Sequence, residues 1–359
     1  MSKAKYQLIA DEIRSKILAK EYHVGDVIPP ETQLQKDFNV SRHTVRQAIA
    51  LLVNEGHLKA EKGSGTYVQM PAPQTFNGAK KKIGVITTYL SDYIFPSIIR
   101  GIEQELRENN YGLLLASTNN DLSTERRCLE MMLHQGVSGL IVEPTKSNEY
   151  NPNLSYYVSL KERDIPVLMI NAHYEELDFP FIVVDDVASG YLATKHLIDQ
   201  GHKNLAMVTK IDDLQGKLRM KGFINAHTEA NQLFESNCIY TYTTETKQQV
   251  IETILADLNQ QLISVTGIVC YNDEIANQLA QQLIRRGFSI PNDFSITGND
   301  DSYLSTAGEI ALTTVSHPKE QLGAEAVQSM IKKIEQQKPL ENKIYTPKLI
   351  VRDSTRKLV

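Results

Sequence analysis

The 359-residue chain has no tryptophan and only three cysteines. Cys128, Cys238 and Cys270 lie far apart, match no zinc-ligand spacing and offer no disulfide framework, so each is expected to be a small core residue in a reducing cytoplasm. No apolar run reaches the roughly 18–20 residues of a spanning helix, which argues against a membrane protein. Met1 to Tyr6 lead straight into a polar-patterned helix without the apolar stretch of a signal peptide. A Walker loop, a dinucleotide fingerprint, a nucleophile elbow and a zinc motif are all missing, as are internal repeats and low-complexity tracts. Asp185-Asp186, Asp212-Asp213 and Asp300-Asp301 are the pairs that most suggest metal binding or glycosidase chemistry. In loops such pairs more often cap helices and accept hydrogen bonds, so no enzyme, metal or cofactor is expected.

What is present is unevenly distributed. Residues 1–82 hold 13 Lys+Arg against 8 Asp+Glu, whereas residues 83–359 hold 25 against 35, for a net charge of −5. A basic head on an acidic body points to a polyanionic partner for the head alone.

Within the head, Tyr6, Ile9, Ile13 and Ile17 share one face of a helix from Lys3 to about Lys20. Gly25 and Pro29-Pro30 break it, Glu31 to Phe38 reads as a short helix, and Asn39 permits a tight turn. Ser41 is placed to cap the next helix. At about 100° per residue that helix carries Arg42, His43, Arg46, Gln47 and Ala50 on one arc and Val45, Ala48, Ile49 and Leu52 on the other. The basic arc, with a small residue at its centre, suits guanine edges or phosphates. Leu58, Ala60 and Thr66 to Val68 then flank Glu61-Lys62-Gly63-Ser64-Gly65, whose glycines supply the positive φ of a hairpin turn. The layout is that of a winged helix-turn-helix. Lys62 at the tip is a candidate contact to a phosphate or the minor groove. Residues 71–82 lack periodicity, carry Pro, Gly and a lysine run, and read as a linker.

After Lys82 short apolar runs alternate with helical patterns, from Ile83-Gly84-Val85-Ile86 to Phe294-Ser295-Ile296-Thr297. Alternation of this kind gives parallel sheets wrapped by helices. The strands are too many for one ordinary sheet, so two α/β lobes with a cleft between them are expected, ligands sitting at the carboxyl ends of the strands. The predicted organisation is a winged helix-turn-helix DNA-binding domain over 1–70, a linker over 71–82 and, over 83–359, a two-lobed domain to which the resemblance given next assigns effector binding and dimerisation.

Residues 1–70 resemble the GntR-type winged helix domain through Pro29, Glu31, Leu34, Phe38, Val40-Ser41-Arg42, Thr44-Val45-Arg46, Gly56 and Gly65-Thr66-Tyr67-Val68. They depart at Pro30, where that family usually has a capping Ser or Thr. Residues 83–353 resemble the effector domain of LacI/GalR regulators, which is similar to periplasmic sugar-binding proteins. The matching pieces include Val184-Asp185-Asp186, Arg219-Met220-Lys221-Gly222-Phe223, Asn272-Asp273-Glu274, Gly298-Asn299-Asp300-Asp301 and Leu312-Thr313-Thr314-Val315. Together these resemblances imply a cytoplasmic, homodimeric transcriptional repressor of sugar-utilisation genes. Its heads would bind half-sites of double-stranded operator DNA, and a small sugar, L-arabinose, would release it. Another pentose, a purine, or sugar-dependent activation remain the alternatives.

For DNA, Arg42 and Arg46 are expected at bases or backbone with His43 and Gln47 beside them, Ser41 and Thr44 at phosphates, and Lys5 and Lys62 at the periphery. For the effector, the resemblance assigns Arg219, Asn272 and Asp300, the lesser alternative being a structural ion pair between Arg219 and Asp300. With no tryptophan, stacking falls to Tyr or Phe, and Tyr89, Tyr93 and Phe95 follow the first strand of the body at the cleft edge. Glu143, His173 and His317 follow strands or connections facing the same cleft.

Overall fold

The structure is a computed structural model, described for residues 5–18, 21–54, 57–61, 65–69 and 81–358. The chain divides into two compact units, 1–78 and 79–359. Lys62 and residues 71–80 of the expected linker lie outside the described residues. Lys82, read as the linker's end, already belongs to a strand and pairs with Gly112.

The first unit contains α1 (Lys5–Leu18), α2 (Glu31–Phe38), α3 (Arg42–Asn54), β1 (Leu58–Glu61) and β2 (Gly65–Val68). Asn39 ends α2 in the left-handed conformation, at φ 47°. Pro30 precedes α2 without a side-chain cap, consistent with a residue that fits the first turn but has no hydroxyl. Ser41 caps α3, its hydroxyl accepting from the Thr44 N–H at 3.2 Å. Ile9, Ile13, Leu34, Val45, Ala48 and Leu52 form one buried cluster closed by Leu58 and Val68 from the hairpin. Each such aliphatic side chain contributes roughly 1.5–3 kcal/mol on burial. β1 and β2 pair antiparallel, with Leu58 opposite Val68.

The second unit begins with β3 (Lys82–Thr87), α4 (Phe95–Glu108), β4 (Gly112–Ser117), α5 (Leu122–His134), β5 (Gly139–Val142), α6 (Leu154–Glu162), β6 (Val167–Ile170) and β7 (Phe181–Val184). It continues with α7 (Asp186–Asp199), β8 (Leu205–Lys210), α8 (Leu214–Glu229), β9 (Ile239–Tyr242), α9 (Lys247–Asn259), β10 (Gly267–Cys270), α10 (Asp273–Arg285) and β11 (Ser295–Thr297). The last elements are α11 (Leu304–Ala307), β12 (Thr314–Val315), α12 (Lys319–Gln336), β13 (Lys343–Tyr345) and β14 (Leu349–Ile350).

These elements build the two expected lobes. Lobe 1 is a parallel six-stranded sheet in the order β13-β7-β6-β5-β3-β4, and lobe 2 a parallel four-stranded sheet in the order β11-β10-β8-β9. The strands read as near-continuous apolar runs because helices cover both faces. Ile98, Ile102, Leu322 and Val327 from α4 and α12 cover one face of lobe 1, and Leu129, Met132, Tyr157 and Leu160 from α5 and α6 the other. In lobe 2, α9 and α10 supply Ile254, Leu255, Ile275 and Leu279 to one face, and α7 and α8 supply Leu197 and Phe223 to the other. Three segments cross between lobes: β7 to α7, β12 to α12, and β13 to β14. The two-stranded ladder β12–β14 sits among these crossings. Cys128, Cys238 and Cys270 are free and buried.

Candidate functional site

Strand order reverses at β3 in lobe 1 and at β8 in lobe 2, and in open α/β sheets the crevice beyond such a reversal is where ligands sit. The carboxyl ends of both sheets face a cavity of about 360 Å³ between the lobes. That volume falls within the roughly 300–1,000 Å³ of small-molecule sites. Tyr89, Tyr93, Phe95, Glu143, Arg219, Asn272, Asp300 and His317 all line it.

Arg219 is the electrostatic centre. It projects from α8, is almost fully buried, and spends its guanidinium on three acceptors: Asp186 Oδ1 at 2.8 Å, the Tyr271 carbonyl at 2.6 Å and Asp300 Oδ1 at 2.9 Å. Its guanidinium carbon also lies 4.9 Å from the centre of the Tyr271 ring. The ion pair is therefore real, and it lies in the cavity wall. Burial pushes Asp186 up to about 6 against the pull of Arg219, with Asp300 adding like charge. Asp300 is held below its ordinary value: burial opposes ionisation, but Arg219, the Tyr93 hydroxyl and Lys319 outweigh it.

In lobe 1, Glu143 follows β5 and accepts from the Thr88 N–H at 2.9 Å, the Thr88 hydroxyl at 2.6 Å and the Asn171 amide at 2.8 Å. Burial raises it, while these donors pull the other way. The Asn171 oxygen lies 3.2 Å from His317 Nε2. Burial lowers His317 to about 4, so it is neutral near pH 7, and its Nδ1 has no hydrogen-bond partner among the described residues. Asn272 caps α10 by accepting from the Ile275 N–H at 3.0 Å. Tyr89 and Phe95 meet edge to face at 5.7 Å. Tyr93 reaches across the cleft, its hydroxyl 2.7 Å from Asp300 Oδ2.

His173 does not line the cavity. Asn171 adopts φ 63° at the end of β6 and turns the chain, and the His173 ring stacks on Phe181 at 4.2 Å. The cavity also includes residues the sequence reading did not assign, among them Asn171, Asp186, Lys210, Asp213, Thr244 and Tyr271. Most follow or end strands, which is the signal that marks them. Lys210 is buried beside Asp213 at 2.7 Å and Asp212 at 3.3 Å; burial pulls its pKa down, and the two carboxylates more than offset it. The acidic pairs are accounted for within the fold. Asp185 caps α7 through the Ala188 N–H at 2.9 Å, Asp212 accepts from Thr244, and Asp301 accepts from Arg352 at 2.6 Å. Among the described residues no group of three or more His, Cys, Asp or Glu is placed to hold a metal, and no helix is long and apolar enough to cross a membrane.

The second surface of interest is α3. Arg42, His43, Arg46, Gln47 and Ala50 are exposed, whereas Val45, Ala48 and Leu52 are buried. Glu31, the first residue of α2, accepts from Arg42 Nε at 2.7 Å and from Arg46 Nε at 3.0 Å. The hydrogen bond from Arg42 leads in holding Glu31 below the usual carboxylate range. Ser41 and Thr44 bond to one another at 2.9 Å at the start of α3, and Lys5 is exposed at the start of α1. The sequence pattern located this arc but not the carboxylate that clamps it.

The profile of bacterial regulatory proteins of the gntR family matches residues 5–68, and that of the periplasmic binding protein-like domain matches residues 194–355. An arabinose metabolism transcriptional repressor of Halalkalibacterium halodurans is 45% identical over 98% of this chain and 96% of its own length. Its namesake from Geobacillus stearothermophilus is 44% identical over 99% and 98%. Among solved structures, the transcription regulator CcpA of Lactococcus lactis is 26% identical with a TM-score of 0.68, covering 77% of this chain and 99% of its own. A LacI family regulator of Enterococcus faecium with bound ribose is also 26% identical, with a TM-score of 0.67, over 78% and 100%. The chain thus belongs to the family of the arabinose metabolism transcriptional repressors, which join a GntR-type DNA-binding head to a LacI-type body.

Proposed function

We propose that the chain represses sugar-utilisation genes as a homodimer. The basic arc of α3 and the hairpin grip operator half-sites, and L-arabinose in the interlobe cavity releases them. The observation that carries this reading is the cavity itself: it lies between the two lobes, is lined by polar and aromatic side chains from both, and has at its centre Arg219 bonded to Asp186 and Asp300. The names of the nearly half-identical relatives support arabinose as the sugar. Acceptors such as Glu143 and Asp213 suit the hydroxyls of a neutral sugar, while Tyr89 and Phe95 supply an apolar face. Arg42, Arg46, His43 and Gln47 read the groove, with Ser41, Thr44, Lys5 and Lys62 at phosphates. The two sites are coupled by roughly 1–3 kcal/mol, or about a 5- to 150-fold change in operator affinity.

The test is operator binding at fixed salt against a panel of pentoses, hexoses and purines. L-arabinose is expected to weaken binding within that range. If no compound changes the affinity of the folded protein, the inducible-repressor reading fails; if a different compound acts, only the sugar's identity does. A promoter reporter that falls silent when the protein is removed marks an activator instead. Light scattering that returns the mass of one chain removes the dimer.

A further inference from the structure

Among the cavity aromatics Tyr93 is the odd one. It lies in the β3–α4 loop of lobe 1, yet all the hydrogen-bond partners of its hydroxyl belong to lobe 2. The hydroxyl donates to Asp300 Oδ2 at 2.7 Å, with the Asn299 carbonyl also within 2.9 Å, and accepts from the Asp273 N–H at 3.2 Å. Its backbone is at φ 60°, in the left-handed region that a bulky side chain occupies only where the surroundings impose it. The other oxygen of Asp300, Oδ1, accepts from Arg219 at 2.9 Å. A single carboxylate is thus held between a residue of lobe 1 and the buried arginine of lobe 2.

We propose that Tyr93 is a positioning residue that straps the two lobes together. It aims the Asp300 carboxylate and sets the open–closed balance on which the ligand acts, instead of serving as a stacking face. The inference rests on the reading of the cavity as the effector site. A bond to a charged acceptor is stronger than a neutral one, and a phenol is a rigid arm that loses little entropy in spanning a cleft. Other contacts between lobes near the cleft, among them Asn120 to Thr244 at 2.7 Å, Leu214 N–H to Ser147 Oγ at 2.8 Å and Lys146 to Glu245 at 2.7 Å, lie away from Asp300 and Arg219, and Lys319 of α12 donates to the Asp300 main-chain carbonyl at 2.7 Å, whereas Tyr93 bonds its carboxylate. Tyr93 therefore ties closure to a carboxylate bonded directly to the arginine.

The experiment is hydrogen exchange on the full chain, wild type and Tyr93→Phe, with and without L-arabinose. In the ligand-free variant, amides of 88–95 in lobe 1 and of 271–275 and 298–302 in lobe 2 are expected to exchange about tenfold faster, the loss expected for one charge-assisted bond. Amides in the centres of β5 and β10 should not change, and the sugar should restore much of the protection. Equal exchange of wild type and variant in those segments, or acceleration confined to residues beside Tyr93, overturns the strap. If Tyr93→Phe loses protection throughout, the ligand-free wild type decides: cleft segments as unprotected as exposed loops overturn the proposal, and slower exchange on both sides of the cleft upholds it. If the two proteins differ as expected but L-arabinose alters neither, the arabinose reading falls and the strap stands.

Discussion

Gly190 and Arg219 meet backbone to backbone: a Cβ on Gly190 would sit 2.0 Å from the Arg219 carbonyl oxygen. One turn further along α8, a Cβ on Gly222 would sit 2.1 Å from the Val187 carbonyl. The two glycines let α7 and α8 approach closely enough for Arg219 to reach Asp186. Gly222→Ala is expected to push the helices apart, cost about 1–3 kcal/mol or more, and withdraw Arg219 from its partners. Urea unfolding and sugar-induced operator release check it together. A variant with wild-type stability and response removes the packing argument.

Arg219 itself neutralises two buried carboxylates. Arg219→Met removes the charge and leaves Asp186 and Asp300 facing one another without it. Breaking one side of a buried network costs about 3–5 kcal/mol, because the charges left behind remain buried. The double variant Arg219→Met, Asp186→Asn should recover part of that loss, since one orphaned charge is gone. If the second substitution gives no recovery in denaturant midpoint, the coupling between the two residues is absent.

Local signals show in the sequence; distances between separated segments do not. The apolar arc of α3, the cap at Ser41, the turn at Asn39 and the parallel strands follow from spacing and side-chain chemistry over a few residues. Arg219, Asn272 and Asp300 were legible only through the resemblance to the LacI/GalR effector domain, and the structure brings all three to the wall of one crevice. Glu31 was not legible as the partner of Arg46, since fifteen residues and a turn separate them and only the packing of α2 on α3 joins them. His173 was misplaced because a position after a strand fixes the backbone and not the side chain; the left-handed Asn171 sends its own amide to Glu143 and the next-but-one ring to Phe181. The adjacent acids, read from the sequence as caps and acceptors, divide those roles for a related reason. Neighbouring side chains diverge, so Asp185 caps a helix while Asp186 bonds Arg219.

Asp273 ties pH to stability. It is buried and accepts from the Ser302 N–H at 2.7 Å and the Thr314 hydroxyl at 2.5 Å. Burial, with the like charge of Asp300 assisting, raises it from 3.8 to about 7. A carboxyl raised on folding binds its proton more tightly in the native state. Its contribution is therefore fully present below about pH 4 and is lost as pH climbs through about 7. Asp273→Asn keeps an acceptor for Ser302 and offers a donor to the Thr314 oxygen, and it does not ionise. Between pH 4.5 and pH 7.5 the stability difference should move toward the variant by on the order of 3 kcal/mol. Urea midpoints at the two pH values measure it, and a difference that stays flat refutes the assignment.

Glu31 places the two arginines of α3 before DNA arrives, and so divides affinity from specificity. Arg46→Ala removes one cation from the exposed face and, because the side chain is outside the core, should leave the head folded. If Arg46 reads a base, operator affinity falls roughly tenfold to a hundredfold while binding to unrelated DNA changes less. If it contacts only phosphate, both fall together and the slope of log affinity against log salt drops by about 0.9. Glu31→Gln acts in the opposite sense on unrelated DNA: it removes a negative charge beside both arginines, so binding there should tighten. Specificity should fall as well, because Arg42 and Arg46 are no longer held in one geometry. Titrations with operator and unrelated duplexes over a salt series separate these outcomes. Should Glu31→Gln leave the ratio of the two affinities unchanged, the clamp has no part in recognition.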